Sequence, residues 1–465
     1  MDLALTRTME RVASILASAG YPSLTADQVK IITDIIVKVN EEGKPLEASL
    51  KGPAGTGKTM LLVGLIIALD VMKYNVVVTS FTHKACSVIA THMQTLEQHL
   101  RHNIVPLTLH SLLNLKPARA EYGKPETFTQ TRAPELDAVD FVIVDECSMV
   151  GADLTTHIQA GIVEQGIPIL YAGDPAQLMP VNEKSLSTTF KTPTKYKLTE
   201  ILRHDGAILN LATKIRTLPY LPQVAAASGG GTDVIVYKND DALVAAWLNS
   251  LLDSDKGNDS TVMLTYMNKH RREFNRQARV VLMGADAPRF IEGDVLLALS
   301  PIIQEEKLIY SNNEDVHIIA PPVLIEDYTP VDTLDFTCAA WQIRSDKGAL
   351  LYVLADQEAI DKYAKYLKAL GMEIAKEGKA AKSGTHHDSR AVKRRWASQY
   401  FPLKASFADL DFRYSLTVHK SQGSTFRYVY VNSDYRKARD QQKQLMYVAV
   451  TRASREVHHV DTTVS

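Results

Sequence analysis

Residues 52–59, Gly-Pro-Ala-Gly-Thr-Gly-Lys-Thr, follow the pattern G-x-x-x-x-G-K-[ST]. That pattern works only as a turn between a strand and a helix, where backbone N–H groups curl around a phosphate. The flanking residues agree. Residues 46–50 form a short, partly apolar segment suited to a strand entering the loop, and 60–69 are a helix-forming run leaving it. In this setting Lys58 reaches the β- and γ-phosphate oxygens, and the Thr59 hydroxyl holds Mg²⁺. Gly52, Pro53, Ala54, Gly55, Thr56 and Gly57 present the cradling backbone. The pattern implies a nucleoside triphosphatase.

Other apolar runs read as buried parallel strands: 75–79, 141–144 and 168–172. The run at 141–144 ends in Asp145 and Glu146. At the carboxyl end of a parallel strand these acids face the crevice where doubly wound sheets bind their ligands. Asp145 is suited to holding Mg²⁺, and Glu146 to orienting and deprotonating the attacking water. Alone, such a pair is a solvated strand end; beside a phosphate loop, the catalytic reading outweighs that one. Phosphoryl transfer also calls for positive charge on the γ-phosphate. Arg203 and Arg452 are candidates, although composition by itself does not choose them.

Strands alternating with helices predict an α/β fold with mostly parallel sheets. The small-residue stretch 225–232 reads as a turn or linker, after which strands resume at 234–237, 262–266, 428–431 and 457–460. The first core is assigned to 1–105 and 136–202, broken by an excursion at 106–135. The second takes 203–295 and 410–465, broken by a β-rich, then helical and basic insert at 296–409. Of 465 residues 45% are hydrophobic and 23% charged, with net charge −1, so any nucleic-acid site must be a local groove. Cys86, Cys147 and Cys338 lack metal-ligand spacing and argue for a reducing compartment. With no basic-then-apolar signal pattern and no long apolar run, a cytoplasmic protein without a membrane partner is expected.

In their order, Gln28, Gly52–Thr59, Phe81–Ala85, Thr108–Leu113, Asp145–Met149, Gly173–Val181, Leu198–Arg203, Thr417–Gly423 and Tyr447–Arg452 resemble the motifs of superfamily 1 helicases. The RecD-like and PIF-type branch, 1B, is the nearest in pattern, and the resemblance runs over about 24–460. It implies two RecA-like domains, the first carrying a β-hairpin pin and the second a small β-barrel with a hook. Gln28 resembles the glutamine that reads adenine, and Gln177 the γ-phosphate sensor. Arg203 and Arg452 resemble two arginine fingers, joining Lys58 and Glu146 in catalysis. Thr82, His83, Thr108, His110, Thr417, His419, Lys420 and Ser421 match single-strand DNA contacts, and Phe81 beside them would make a stacking contact to the strand. Hydroxyls and imidazoles bond phosphates without reading sequence; each histidine, without the resemblance, reads rather as a buried core or capping residue.

Phe128 or Tyr122 in the pin would be the strand-separating wedge, an aromatic face replacing lost base stacking; packing of the hairpin explains either ring as well. Trp396 with Lys393, Arg394 and Arg395 falls in the hook region. The resemblance implies ATP and Mg²⁺ as cofactors and 5′-to-3′ motion of a monomer along single-stranded DNA. It also implies unwinding at single-/double-strand junctions, beside single-strand-binding or replication proteins, in phage-like replication and recombination, with host cytoplasm as the location for a phage-encoded chain. Departures are Phe81, where relatives place proline, Ser311-Asn312-Asn313-Glu314, where many carry Asn-Gly, and 355–390, which match nothing closely. An ATP-switched clamp or a translocase that separates no strands is the competing function, and an RNA track stays open because backbone contacts do not read the 2′-OH.

Overall fold

The computed structural model describes residues 3–41, 45–117, 128–180, 183, 185–200, 206–253, 255–256, 260–304, 307–382 and 389–460. The strand that feeds the phosphate loop, Glu47–Lys51, lies inside a six-stranded sheet. Its order is Leu107–Thr108, Val76–Ser80, Phe141–Asp145, Ile169–Gly173, Glu47–Lys51, Thr194–Lys197. Every pairing is parallel. Strands covered on both faces are apolar throughout, and Phe141, Val142, Ile143 and Val144 are all fully buried. Because the strands run one way, the loops that begin at Gly52, Phe81, Glu146 and Asp174 open along one edge.

The helix leaving the loop, Lys58–Val71, is buried from Leu61 to Asp70. Its apolar circumference follows from its position within one hydrophobic core shared with the helices Leu3–Ser18 and Ala26–Val39. Thr25 caps the second of these. Its hydroxyl accepts the Gln28 N–H at 3.2 Å, and Gln28 Oε1 accepts the Thr25 N–H at 2.9 Å. A cap of this kind contributes about 1 kcal/mol.

A second six-stranded sheet has the order Ser415–Thr417, Thr261–Thr265, Phe426–Val431, Ala453–Val460, Thr232–Tyr237, Ala227–Gly229. All its pairings are parallel except the last. Two such sheets make the fold the α/β arrangement of paired RecA-like cores. The stretch 225–232 thus holds a turn, one of the two expectations for it, and adds an edge strand that was not expected. Its turn places Gly230 and Gly231 at φ 58 and 73, left-handed values that suit a tight hairpin and that glycine adopts without steric cost.

Within that sheet His458 is 2% exposed, stacked on Tyr430 with centroids 3.8 Å apart. Its ring nitrogens lie 3.0 Å from the Tyr237 hydroxyl and 3.0 Å from Glu456. Burial outweighs Glu456 and pushes the imidazole down to about 4. In the unfolded chain the same group titrates near pH 6.5. The stability it contributes is therefore complete above that pH and is lost as pH falls toward 4. Melting temperature is expected to drop between pH 7 and pH 5, with a shallower slope in His458→Gln; equal slopes would remove this histidine as a cause.

Contacts divide the chain into two compact units. Met1–Leu115, Gln130–Leu282 and Tyr414–Ser465 form one, which holds both large sheets; Lys116–Thr129 and Met283–Arg413 form the other. The second unit contains a three-stranded antiparallel sheet centred on Val295–Ala298. It also contains the hairpin Ile302–Gln304 with Lys307–Tyr310, and a second three-stranded sheet centred on Cys338–Arg344. Asn313 takes φ 64 in the 311–314 turn, so asparagine there keeps the left-handed turn that Asn-Gly would make. The helix Gln357–Lys382 packs on a core including Phe336, Ile374, Tyr400 and Leu403. Trp396 joins it edge-on to Tyr400 at 4.7 Å, and Arg395 pairs with Glu373 at 2.9 Å and with Glu377.

The excursion begins and ends as the two-stranded ribbon Leu115–Pro117 with Phe128–Gln130. Phe128 is half exposed there, and Tyr122 lies outside the described residues. No helix among the described residues is long and apolar enough to cross a membrane.

Candidate functional site

The phosphate loop closes on itself through its own side chains. Gly55 and Gly57 take φ 83 and 74, left-handed values that turn successive N–H groups inward. Thr56 Oγ1 donates to the Pro53 carbonyl at 2.8 Å, and Lys58 Nζ donates to Gly52 O at 2.6 Å and Pro53 O at 3.3 Å. The Gly52 N–H donates to Gly173 O at 3.1 Å, which fastens the loop to the neighbouring strand. Gln28 adds a brace from outside. Its Nε2 donates to Gly57 O at 3.1 Å while Oε1 serves the Thr25 cap. The amide expected to read adenine thus has both ends engaged, and an adenine contact must share those bonds.

Asp145 ends its strand beside this loop, and Glu146 follows at φ 51. A left-handed non-glycine residue costs roughly 1 kcal/mol, and such strain gathers at functional sites. The turn is held by the Glu146 N–H donating to Asp145 Oδ1 at 2.8 Å. Burial, then the Glu146 charge, raise the Asp145 carboxyl above its usual range, against the pull of Lys58. A cation would relieve that repulsion. The Thr59 hydroxyl and the Asp145 carboxylate are hard oxygen donors of the kind Mg²⁺ takes, with its other positions left to water and phosphate. Among the described residues no cluster of three or more His, Cys, Asp or Glu forms a cage for a metal.

Gln177 is buried, its N–H bonded to Asp174 O at 3.1 Å and its Oε1 within 3.5 Å of the Ser148 hydroxyl. Arg452 is 7% exposed at the end of the helix Gln442–Thr451. Its Nε donates to Val448 O, and its terminal nitrogens to Ser424 O and Thr451 Oγ1, each at 3.2 Å. Arg203 lies outside the described residues.

The AAA domain family matches residues 23–218, and the UvrD-like helicase C-terminal domain family matches 412–460. The uncharacterized protein R530 of Acanthamoeba polyphaga mimivirus is 25% identical over 450 residues, covering 82% of this chain and 88% of that protein. The ATP-dependent DNA helicase Dda of Enterobacteria phage T4 is 24% identical over 465 residues, 95% of this chain and 100% of its own. The Pif1 helicase from Bacteroides, solved with ADP-AlF3 and single-stranded DNA, matches at TM-score 0.48 and 16% identity, covering 94% and 92%. The Dda match spans nearly the whole of both chains. The chain is similar to superfamily 1 helicases.

The residues expected to face a single strand come from both sheets. Thr82 and Thr108 are each the N-cap of a helix, accepting the N–H of Ala85 and of Ser111 at 3.2 Å. Phe81 meets His110 edge-on at 5.6 Å. Burial, then the nearby His83, push His110 down to about 4, so it offers a neutral imidazole, and burial lowers His419 too. From the second sheet, Thr417 Oγ1 accepts the Lys420 N–H at 3.3 Å. Ser421 is fully buried and donates to Val418 O at 2.8 Å, a structural bond. The two sets approach where a Cβ on Gly423 would stand 3.7 Å from Thr82 Oγ1 and from the Ala85 nitrogen.

Several residues of the cleft had no signal in the sequence. A cavity of about 370 Å³ beside Gly52 is lined by Lys51, Asp174, Lys197, Arg216, Lys443 and Tyr447. Tyr447 lay inside the 447–452 motif, where only Arg452 drew notice. Its hydroxyl accepts the Ala54 N–H at 3.2 Å and donates to Asp174 Oδ2 at 2.5 Å.

Proposed function

We propose that this chain is an ATP-dependent DNA helicase that moves 5′-to-3′ on single-stranded DNA and separates duplex strands ahead of it. The observation that supports this most is the meeting of two kinds of site on one pair of sheets. The phosphate loop and the Asp145–Glu146 turn open on the edge that also carries Thr82 and Thr108, and residues of the second sheet reach both. In this reading the N–H groups of 52–59 and Lys58 hold the triphosphate, with Gln28 fixing the loop. Mg²⁺ held by Thr59 and Asp145 would neutralise charge on the phosphate oxygens. Glu146 takes the proton of the attacking water, Gln177 registers the γ-phosphate, and Arg203 and Arg452 stabilise the charge that develops on it.

Movement follows from alternation. Phe81, Thr82, His83, Thr108 and His110 hold the strand from the first sheet, and Thr417, His419 and Lys420, positioned by Ser421, from the second. Closing the cleft on ATP and opening it after hydrolysis lets one set grip while the other slides, and Phe128 stacks against the opened pair. A monomer suffices for this cycle, with single-strand-binding or replication proteins as partners. The test is unwinding of two partial duplexes, one with a 5′ single-stranded tail and one with a 3′ tail. Separation of only the 5′-tailed substrate is expected. Opening of only the 3′-tailed one would reverse the polarity, and DNA-stimulated hydrolysis without separation of either would make the chain a clamp or simple translocase.

A further inference from the structure

Tyr447 stands in the middle of the helix Gln442–Thr451, packed with the second sheet, yet its hydroxyl bonds to the first. Its ring is 2% exposed. The phenol oxygen accepts the Ala54 N–H at 3.2 Å and passes its own proton to Asp174 Oδ2 at 2.5 Å. Asp174, itself 1% exposed, takes the Ala176 N–H on its other oxygen at 3.0 Å. Burial and then the Asp174 charge raise the phenol well above its usual range, so it stays a donor at working pH. Ala54 is the third residue of the phosphate loop, whose N–H groups serve phosphate oxygens. A backbone N–H carries one hydrogen, so what Ala54 gives Tyr447 it withholds from a phosphate.

We propose that Tyr447 is a positioning residue that couples occupancy of the phosphate loop to the second sheet. Its hydroxyl competes with phosphate for the Ala54 N–H. Through Asp174 it also sets the turn that carries Gln177. Triphosphate entering the loop displaces the hydroxyl and releases the helix that bears Arg452 five residues on. This rests on residues 52–59 being the ATP site.

The test is steady-state ATP hydrolysis by Tyr447→Phe, with and without single-stranded DNA, beside wild type and Lys58→Ala. Phenylalanine keeps the buried ring and deletes only the hydroxyl. KM for ATP is expected to fall about three- to tenfold, the worth of one hydrogen bond lost by the competitor. The ratio of rates with and without DNA is expected to fall with it. An unchanged KM with lower kcat and a lower melting temperature would make Tyr447 a packing residue and overturn the proposal. If Tyr447→Phe shows no melting transition, Asp174→Asn, which weakens the anchor while keeping an acceptor, is expected to lower KM to a smaller extent; no change there overturns the proposal equally. Hydrolysis that survives in Lys58→Ala removes the underlying site assignment, and the proposal with it.

Discussion

Glu146→Gln is expected to lower DNA-stimulated ATP turnover by roughly a hundredfold or more, the usual worth of a positioned general base, while ATP binding survives. The change is isosteric and removes the negative charge, and with it the ability to take a proton. It leaves the left-handed turn at φ 51 and the N–H bond to Asp145 Oδ1 in place, so the fold and the position of the Asp145 carboxylate are kept. Removing one of two adjacent negative charges also eases the repulsion that raises the Asp145 carboxyl. ATP affinity should therefore hold or tighten. Binding of a fluorescent ATP analogue, set against the turnover rate of the same preparation, separates the two effects. A variant that binds and turns over like wild type would falsify the general-base assignment, and one that fails to bind would place Glu146 in nucleotide or metal binding.

The parts of this site that were legible in the sequence are those whose chemistry demands contiguous residues. A phosphate loop needs its glycines and Lys58 at fixed spacing, and a buried parallel strand needs an unbroken apolar run before Asp145; both were visible and both stand where expected. The edge strand Ala227–Gly229 was not legible, because its residues have no apolar alternation and owe their extended form to pairing with Thr232–Val234. Thr82 and Thr108 were noticed as strand contacts, and each also caps a helix, a local role that the same hydroxyl fills without any ligand.

Tyr447 was hidden for the opposite reason. Its partner Ala54 is 393 residues away, and nothing local marks a buried tyrosine in an apolar helix as anything but core. Gln28 shows how one residue can satisfy both kinds of reading. Its place in the capping box is a local matter, set by Thr25 three residues earlier, whereas the bond from Nε2 to Gly57 needs the folded chain.

Lys58→Ala is expected to lose roughly a thousandfold in ATP turnover, the scale seen when a charged donor is taken from a developing oxyanion. The ammonium stands over Gly52 O and Pro53 O, at the mouth of a loop whose remaining bonds, Thr56 to Pro53 and Gly52 to Gly173, do not involve it. Those bonds, with the left-handed glycines, hold the loop in shape without the lysine, so the melting temperature should move little. Single-stranded DNA binding should persist as well, because Thr82, Thr108 and Thr417 are positioned by their own short-range bonds. Hydrolysis, thermal melting and DNA binding measured on one preparation thus give a distinctive pattern: the first lost, the other two kept. Loss of all three would mean that Lys58 holds the loop together, and retention of all three would move the ATP site away from residues 52–59.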